Sequence, residues 1–471
     1  MEPTLPEILD TRFRTALQRM HAAGRIRMVA RKVNTDLEIA SLMKVADGDR
    51  ALLFGSIEGH EIPVLGNFLN CQANCEAAFG MGYRGIRQLV GRAMANPLEP
   101  ALVERAPVYE KSWTSGFDIG RQLPALRHTT SDGGRFISGG VVIVRDPETG
   151  VYNASYHRMQ LIGPNRTALK LDFGRHLRFA VERAAKRGVA LPIAMCIGTD
   201  IALLYAAGTM GSQMPESASE LAAAGGLCGR PIPVVKALTQ DLLVPAETEI
   251  VLEGVVRPDV SVREGPFAEF PGFVASADDA PVFDVTALAH RERPIYHAIN
   301  GYGRESIMLR KYVLEASLIK VLQSAVPIVT DVEMTAGGLH RFHAIISVKK
   351  STPQHEGFQR NVMAAAFGAL KDLDLVIVVD DDIDIRDPAD VEYALAMRMD
   401  ASRDLVILPG ARSHEIARVT NNGIRAKLGI DATVPVDEQE RYSRVKFAEV
   451  APLGDGDLTG TLSPALSWLR G

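Results

Sequence analysis

Cysteine is scarce in this chain. Cys71, Cys75, Cys196 and Cys228 are the only four in 471 residues, too few for a disulfide scaffold. Cys71 and Cys75 stand four apart on an expected helix. No second Cys or Cys/His pair follows at zinc-site spacing, so they read as structural thiols. An excess of one charge is also missing. The 52 basic and 57 acidic residues leave a formal charge of −5, which gives no global drive toward nucleic acid or an anionic membrane. No apolar run reaches the roughly 20 residues of a membrane span. The richest, Pro192 to Gly211, is interrupted by Thr199 and Asp200. The N-terminal MEPTLPEILDTRFRTALQRM lacks the basic start and apolar centre of a signal peptide, and a cytoplasmic protein is expected. No Ser nucleophile elbow, Walker loop or H-E-x-x-H occurs, and no repeat stands at solenoid spacing.

The remaining composition is that of a folded chain: 46% hydrophobic and 23% charged. Its length allows about three domains. Residues 1–125 alternate helical and strand-like segments and read as an α/β domain. Leu5 to Ala22 is an expected helix, and Thr35-Asp36-Leu37-Glu38 an expected capping box. Residues 126–305 change to hairpin grammar, with runs such as GRFISGGVVIVRD, VYNASYHRMQLI and EIVLEGVVRPDVSV around helices near 174–187 and 199–226. Such runs suggest a barrel or a strongly bent sheet. Residues 306–471 return to α/β, with Asp387-Pro388 capping a helix. The expected class is therefore mixed α/β (α+β).

Several motifs invite chemistry. Gly80-Met81-Gly82-Tyr83-Arg84-Gly85 matches G-x-G-x-x-G, but the segment before it reads as helix, so a helix–helix turn is the simpler account. Asp380, Asp381, Asp382 and Asp384 end a strand, where acids support a following helix more often than they hold magnesium. Glu264-Gly265-Pro266-Phe267-Ala268-Glu269 sets two carboxylates five apart around a Gly-Pro bend, which could bring both into one cavity. Taken alone, they read as two exposed acids flanking a turn. Asn153 to Arg158 offers an amide, a hydroxyl, an imidazole and a guanidinium on one expected strand, and His176 follows. Glu220 would complete a capping box with Ser217.

Taken in order, these pieces resemble the UbiD-type decarboxylases, which use prenylated FMN. They are Asn153-x-x-x-x-Arg158-Met159-Gln160, His176, Ser219-Glu220, Glu264-Gly265-Pro266-Phe267-x-Glu269, VIVVDDDIDIRDPADVEYAL, LVILPGAR and Lys427-x-Gly429-Ile430-Asp431-Ala432-Thr433. The resemblance covers about residues 130–435. It implies an N-terminal α/β domain, a central split β-barrel like that of flavin reductases, and a C-terminal α/β domain that dimerises or assembles further. It implies that Asn153, His176 and Glu220 hold a Mn2+-type ion meeting the cofactor phosphate, with K+ or Na+ nearby. Ser138, Ser155, Tyr156, His157, Arg158, Lys170, Leu171 and Arg175 would contact the prenylated flavin. Arg158, Glu264 and Glu269 would form the catalytic network, with Glu269 reprotonating the substrate carbon. Phe270 and Ile430 to Thr433 are candidate substrate contacts. The implied reaction is the reversible, non-oxidative decarboxylation of an aromatic, heteroaromatic or α,β-unsaturated acid. A flavin prenyltransferase would supply the cofactor. A flavin-dependent oxidoreductase on the same barrel, or a non-catalytic flavin- or metal-binding protein, is the alternative. His157 departs from the aliphatic residue common before the arginine in that family.

Overall fold

The computed structural model describes residues 5–172, 175–208, 214–417, 419, 422–445, 448 and 450. The end of the expected C-terminal domain, 451–471, lies outside these residues, as do positions 209–211 of the apolar run. No helix among the described residues is long and apolar enough to cross a membrane.

The fold is mixed α/β. Its centre is an antiparallel sheet whose strands follow the order Phe136–Ile137, Met159–Gly163, Arg166–Leu169, Asp278–His290, Ile250–Glu264, Leu191–Ile197, Gly140–Arg145, Tyr152–Tyr156, with Lys111–Trp113 beside Asp278–His290. Apolar β-branched runs such as Val141 to Val144 and Ile250 to Leu252 bury both faces of its middle. Among the described residues no closed barrel forms. The end strands Phe136–Ile137 and Tyr152–Tyr156 are not paired with each other. Yet the chain passes from Ile137 to Gly140 in three steps, and from Tyr156 to Met159 in three more. Three steps span at most about 11 Å, so the sheet bends until its two ends nearly meet. The residues in the gap are Ser138 and Gly139 on one link and His157 and Arg158 on the other. A Cβ at Gly139 would lie 2.4 Å from the His297 carbonyl oxygen, so this link needs glycine.

Of the four smaller sheets among the described residues, two flank the centre. One has the order Ile26–Val29, Ala51–Phe54, Val64–Gly66, Tyr296–Ala298, so a strand from far along the chain completes it. The other has the order Val329–Met334, His343–Val348, Leu375–Asp380, Ile424–Ala432, Leu405–Arg412. The helix Arg304–Ala325 runs between them.

Several local expectations need correction. The first helix is Phe13–Ala22, shorter than the expected span, and just before it Asp10 accepts from the Arg12 backbone and the Thr15 hydroxyl. The capping box at Thr35 does not form. Leu37 precedes the helix Glu38–Val45, and the Glu38 carboxylate reaches back to the Asn34 amide. Asp387 does cap Pro388–Arg398, accepting from Ala389. Gly80 ends the helix Gln72–Phe79 in the left-handed region and Gly82 precedes the helix Tyr83–Ala95, so the glycine motif is a helix–helix turn. Arg398 clamps Asp380 and Asp382, which gives that acid cluster a structural role.

Candidate active site

Arg158 stands at the gap in the sheet and gathers both carboxylates of the Glu-Gly-Pro-Phe-Ala-Glu segment. Glu264 is the last residue of the strand Ile250–Glu264 and is fully buried. Its two oxygens accept from Arg158 Nε at 2.7 Å and Nη2 at 3.0 Å, a bidentate fork. Gly265, with φ +92°, and Pro266 then turn the chain. The short paired strands Phe267–Ala268 and Val274–Ala275 make a hairpin, and the Glu269 carbonyl accepts from Gly272 across its turn. Glu269 heads that turn, where its carboxylate accepts from Arg158 Nη1. The Glu269 side chain is 29% exposed whereas Glu264 is sealed. Glu269 is therefore the carboxyl that reaches open space. Burial raises its pKa above the ordinary glutamate value, against the opposing pull of Arg158.

That open space is a cavity of about 660 Å³ counted to its mouth. Its wall includes Ser138, Tyr156, His157, Arg158, Lys170 and Glu269. Three polar devices line it. Among the described residues the buried Tyr156 hydroxyl has no partner, and burial pushes its pKa far up, so it remains a neutral donor. His157 Nδ1 lies 2.9 Å from the Lys170 carbonyl oxygen; it must donate there, which leaves Nε2 to accept from the Ser155 hydroxyl at 3.1 Å. Burial lowers the His157 pKa, which keeps the ring neutral. Ser138 pairs with His128 Nε2 at 3.2 Å, and His128 Nδ1 with Asn300 Oδ1 at 2.9 Å.

Asn153, His176 and Glu220 come together on the other side of Ser155. Asn153 Nδ2 lies 2.9 Å from Glu220 Oε1 and 3.4 Å from His176 Nδ1. Glu220 also accepts from the Ala154 amide at 3.0 Å. Ser219, not Ser217, precedes the helix Glu220–Cys228, so Glu220 forms no capping box; its side chain turns to the strand Tyr152–Tyr156 instead. Burial pushes the Glu220 carboxyl up to about 7, which marks a buried oxygen site short of positive charge. Among the described residues, no group of three or more His, Cys, Asp and Glu side chains is placed to hold a metal. The amide, imidazole and carboxylate nonetheless form a donor set suited to a divalent ion. Arg175 precedes the helix His176–Lys186 and acts on Glu220 through space.

Leu171 packs against the apolar core and is absent from the cavity wall. Phe270 is on the wall. Ile430 to Thr433 are not: Asp431 accepts from the Thr433 amide and hydroxyl within the C-terminal sheet. Sequence reasoning missed Asp172, Phe267, Ile299, Asn300, Ser306 and Arg310, all on the wall. One signal was available, because Ser306 and Arg310 stand four apart on one helix and so share a face.

Comparison with known proteins assigns the chain to a family. Three models of 3-octaprenyl-4-hydroxybenzoate carboxy-lyase (UbiD) match: the N-terminal domain over residues 17–94, the Rift-related domain over 101–303 and the C-terminal domain over 307–432. The chain is 34% identical over 427 residues to anhydromevalonate phosphate decarboxylase of Methanothermobacter thermautotrophicus, covering 90% of this chain and 97% of that one. A UbiD-class enzyme from Pelotomaculum thermopropionicum in complex with FMN superposes with a TM-score of 0.88 at 36% identity, covering 92% of this chain and 97% of that one. An evolved dimeric form of that enzyme in complex with prenylated FMN gives 0.84 at 34% identity, covering 96% and 99%. With its three domain models matched in order and named decarboxylases among its relatives, the chain belongs to the UbiD family of carboxy-lyases.

Proposed function

We propose that the protein catalyses the reversible, non-oxidative decarboxylation of an aromatic, heteroaromatic or α,β-unsaturated carboxylic acid, with prenylated FMN in the cavity beside Arg158. The observation that carries this reading is the Arg158–Glu264–Glu269 arrangement: one sealed carboxylate, one arginine and one carboxyl open to the cavity. When bound, prenylated FMN supplies the acceptor for the electron pair left by departing CO2. The chain's own residues do the rest. Glu264 fixes the guanidinium plane through its fork, so Arg158 presents a permanent charge to the substrate carboxylate. Glu269, its pKa raised by burial, keeps its proton to higher pH than a free glutamate and delivers it to the substrate carbon from its oxygen. Phe267 lies under the Arg158 guanidinium, 4.8 Å from ring centre to Cζ, and helps to keep water from that face.

Ser138, Tyr156, His157, Lys170 and Arg175 would hold the flavin. Asn153, His176 and Glu220 would bind a divalent ion such as Mn2+, with K+ or Na+ nearby, and this charge would meet the phosphate. The exposed Ile407 and Leu408 on the edge strand Leu405–Arg412 support a homodimer or larger assembly through the C-terminal sheet.

The test is coexpression with a flavin prenyltransferase, followed by identification of the extracted cofactor by mass spectrometry and a screen of acids for CO2 release. Bound prenylated FMN with CO2 release is expected. Plain FMN with hydride transfer would overturn the reading in favour of an oxidoreductase, and a loaded protein that turns over no acid would leave only a binding role.

A further inference from the structure

The two carboxylates that meet Arg158 are held in different ways. Glu264 closes a long strand of the central sheet, where the ladder to Asp278–His290 fixes it. Glu269 lies beyond the Gly265-Pro266 turn. The strands of its hairpin, Phe267–Ala268 and Val274–Ala275, pair only with each other among the described residues. Its own amide donates to the Phe273 carbonyl at 2.8 Å, inside that hairpin. A lone two-stranded hairpin is marginal in water, so the place of Glu269 depends on what grips the segment from outside.

The grip comes from the turn 128–133. Asp132 is buried, and each of its carboxylate oxygens accepts twice. Oδ2 accepts from the amides of His128 and Thr129, both at 2.9 Å. Oδ1 accepts from the Thr129 hydroxyl at 2.8 Å and from the amide of Ala268, the residue before Glu269, at 3.3 Å. Four converging donors require an acceptor-only group, which a carboxylate is. Beside it, the Gly133 amide donates to the Pro266 carbonyl at 2.9 Å, and a Cβ at Gly133 would lie 2.1 Å from the Gly265 carbonyl oxygen. A Cβ at Gly301 would lie 2.1 Å from the Ala268 carbonyl oxygen. Ala268 is thus held at its N–H by Asp132 and confined at its C=O by Gly301.

We propose that Asp132 is a positioning residue for proton delivery: through the Ala268 amide it keeps Glu269 on Arg158 and facing the cavity. The kinetic consequence rests on the decarboxylase reading; the structural one does not. A misplacement of about 1 Å can cost about a hundredfold in rate. Asp132→Asn isolates the link. The amides of His128 and Thr129 are fixed donors, so the remaining oxygen stays with them. The new NH2 then faces the Thr129 hydroxyl, which can rotate to accept, and the Ala268 amide, which cannot. The turn has a second tie to the cavity, because His128 Nε2 lies 3.2 Å from the Ser138 hydroxyl, and the two routes must be told apart.

The first measurement needs no turnover. Crystal structures of the flavin-loaded protein and of its Asp132→Asn variant are expected to share the Glu264 fork, with the Glu269 carboxylate withdrawn from Arg158 in the variant. A Glu269 that keeps its place there overturns the proposal. The second measurement is CO2 release. In Asp132→Asn, kcat is expected to fall about ten- to a hundredfold with KM and flavin content unchanged. Combined with Glu269→Gln, Asp132→Asn should add no further loss, because both act on one group. Additive losses, or a loss of flavin in place of kcat, would overturn the proposal by assigning the turn to Ser138. If Asp132→Asn fails to fold, Ala268→Pro removes the same N–H from the other side and carries both measurements; Phe267 before it is already in a strand, as a residue preceding proline prefers. An unsubstituted protein that releases CO2 from no acid would sink the decarboxylase reading, while the crystal structures still decide the role of Asp132.

Discussion

Glu264 and Glu269 share one arginine but not one environment, and under the proposed reaction that difference sets their tasks. Glu264 has no exposure and a fixed fork to Arg158; Glu269 faces the cavity with a raised pKa. Replacing the carboxyl of Glu269 by an amide keeps its shape and its contact to Arg158 but removes the transferable proton. Glu269→Gln should therefore retain flavin, read from its absorbance, while CO2 release falls by about 10²- to 10⁴-fold. Undiminished turnover would remove Glu269 from the role. The raised pKa also fixes the direction of the pH response. A proton donor is active below its pKa, so kcat/KM should fall as pH rises through the Glu269 value, and that limb should lie above the ordinary glutamate range. A pH profile of CO2 release measures it. At this scale the Gly-Pro bend left open that two acids could meet, but spacing alone read them as exposed acids flanking a turn, and it was the family resemblance that paired them. Arg310 was legible only in sharing a helix face with Ser306; that this face lines the cavity depends on packing between segments far apart in the chain.

The central sheet puts Arg158 where its two ends approach. Ser138-Gly139 and His157-Arg158 cross the gap, so the side chains at the site are those the ladder does not use for pairing. Gly139 makes the first crossing possible. Its Cβ would meet the His297 backbone oxygen at 2.4 Å, and backbone cannot swing aside as a side chain can. Gly139→Ala should cost about 1–3 kcal/mol by overpacking, measured by urea denaturation. It should also weaken flavin binding, because the displaced link carries Ser138. Unchanged stability would mean that the Tyr296–Ala298 strand yields freely. The sequence indicated hairpins and a bent sheet, but not where the sheet stays open, since that depends on register between strands far apart in the chain. Capping motifs misled for a similar reason. Glu38 and Glu220 each had a local partner available, yet the fold gave Glu220 a better one in Asn153 and Ala154.

Across the whole molecule, buried charge as well as apolar packing ties the sheet that ends in Tyr296–Ala298 to the helix leading to the C-terminal sheet. Glu305, at the start of the helix Arg304–Ala325, is the clearest case. Its carboxylate accepts from the amides of Phe68 at 2.9 Å and Leu69 at 3.2 Å and from His297 Nε2 at 2.8 Å. One side chain thus ties the loop after the strand Val64–Gly66, the strand Tyr296–Ala298 and the helix that leads to the C-terminal sheet and bears Arg310. These groups are 236, 237 and 8 positions away from it, so no window of sequence displays the joint. Glu305→Ala would strand two buried amides and an imidazole. Each unsatisfied buried polar group costs about 1–3 kcal/mol, so the substitution should lower the unfolding midpoint by several degrees and narrow the margin that keeps the chain folded. Glu305→Gln keeps an acceptor oxygen for the amides but loses the charge, and should fall between the two. Because the same helix places Arg310 and Ser306 on the cavity wall, the loss should extend to ligand affinity in the FMN-loaded protein. A variant destabilised in scanning calorimetry but unaltered in flavin and acid binding would show that the joint serves stability alone, with the helix held in place by its apolar face.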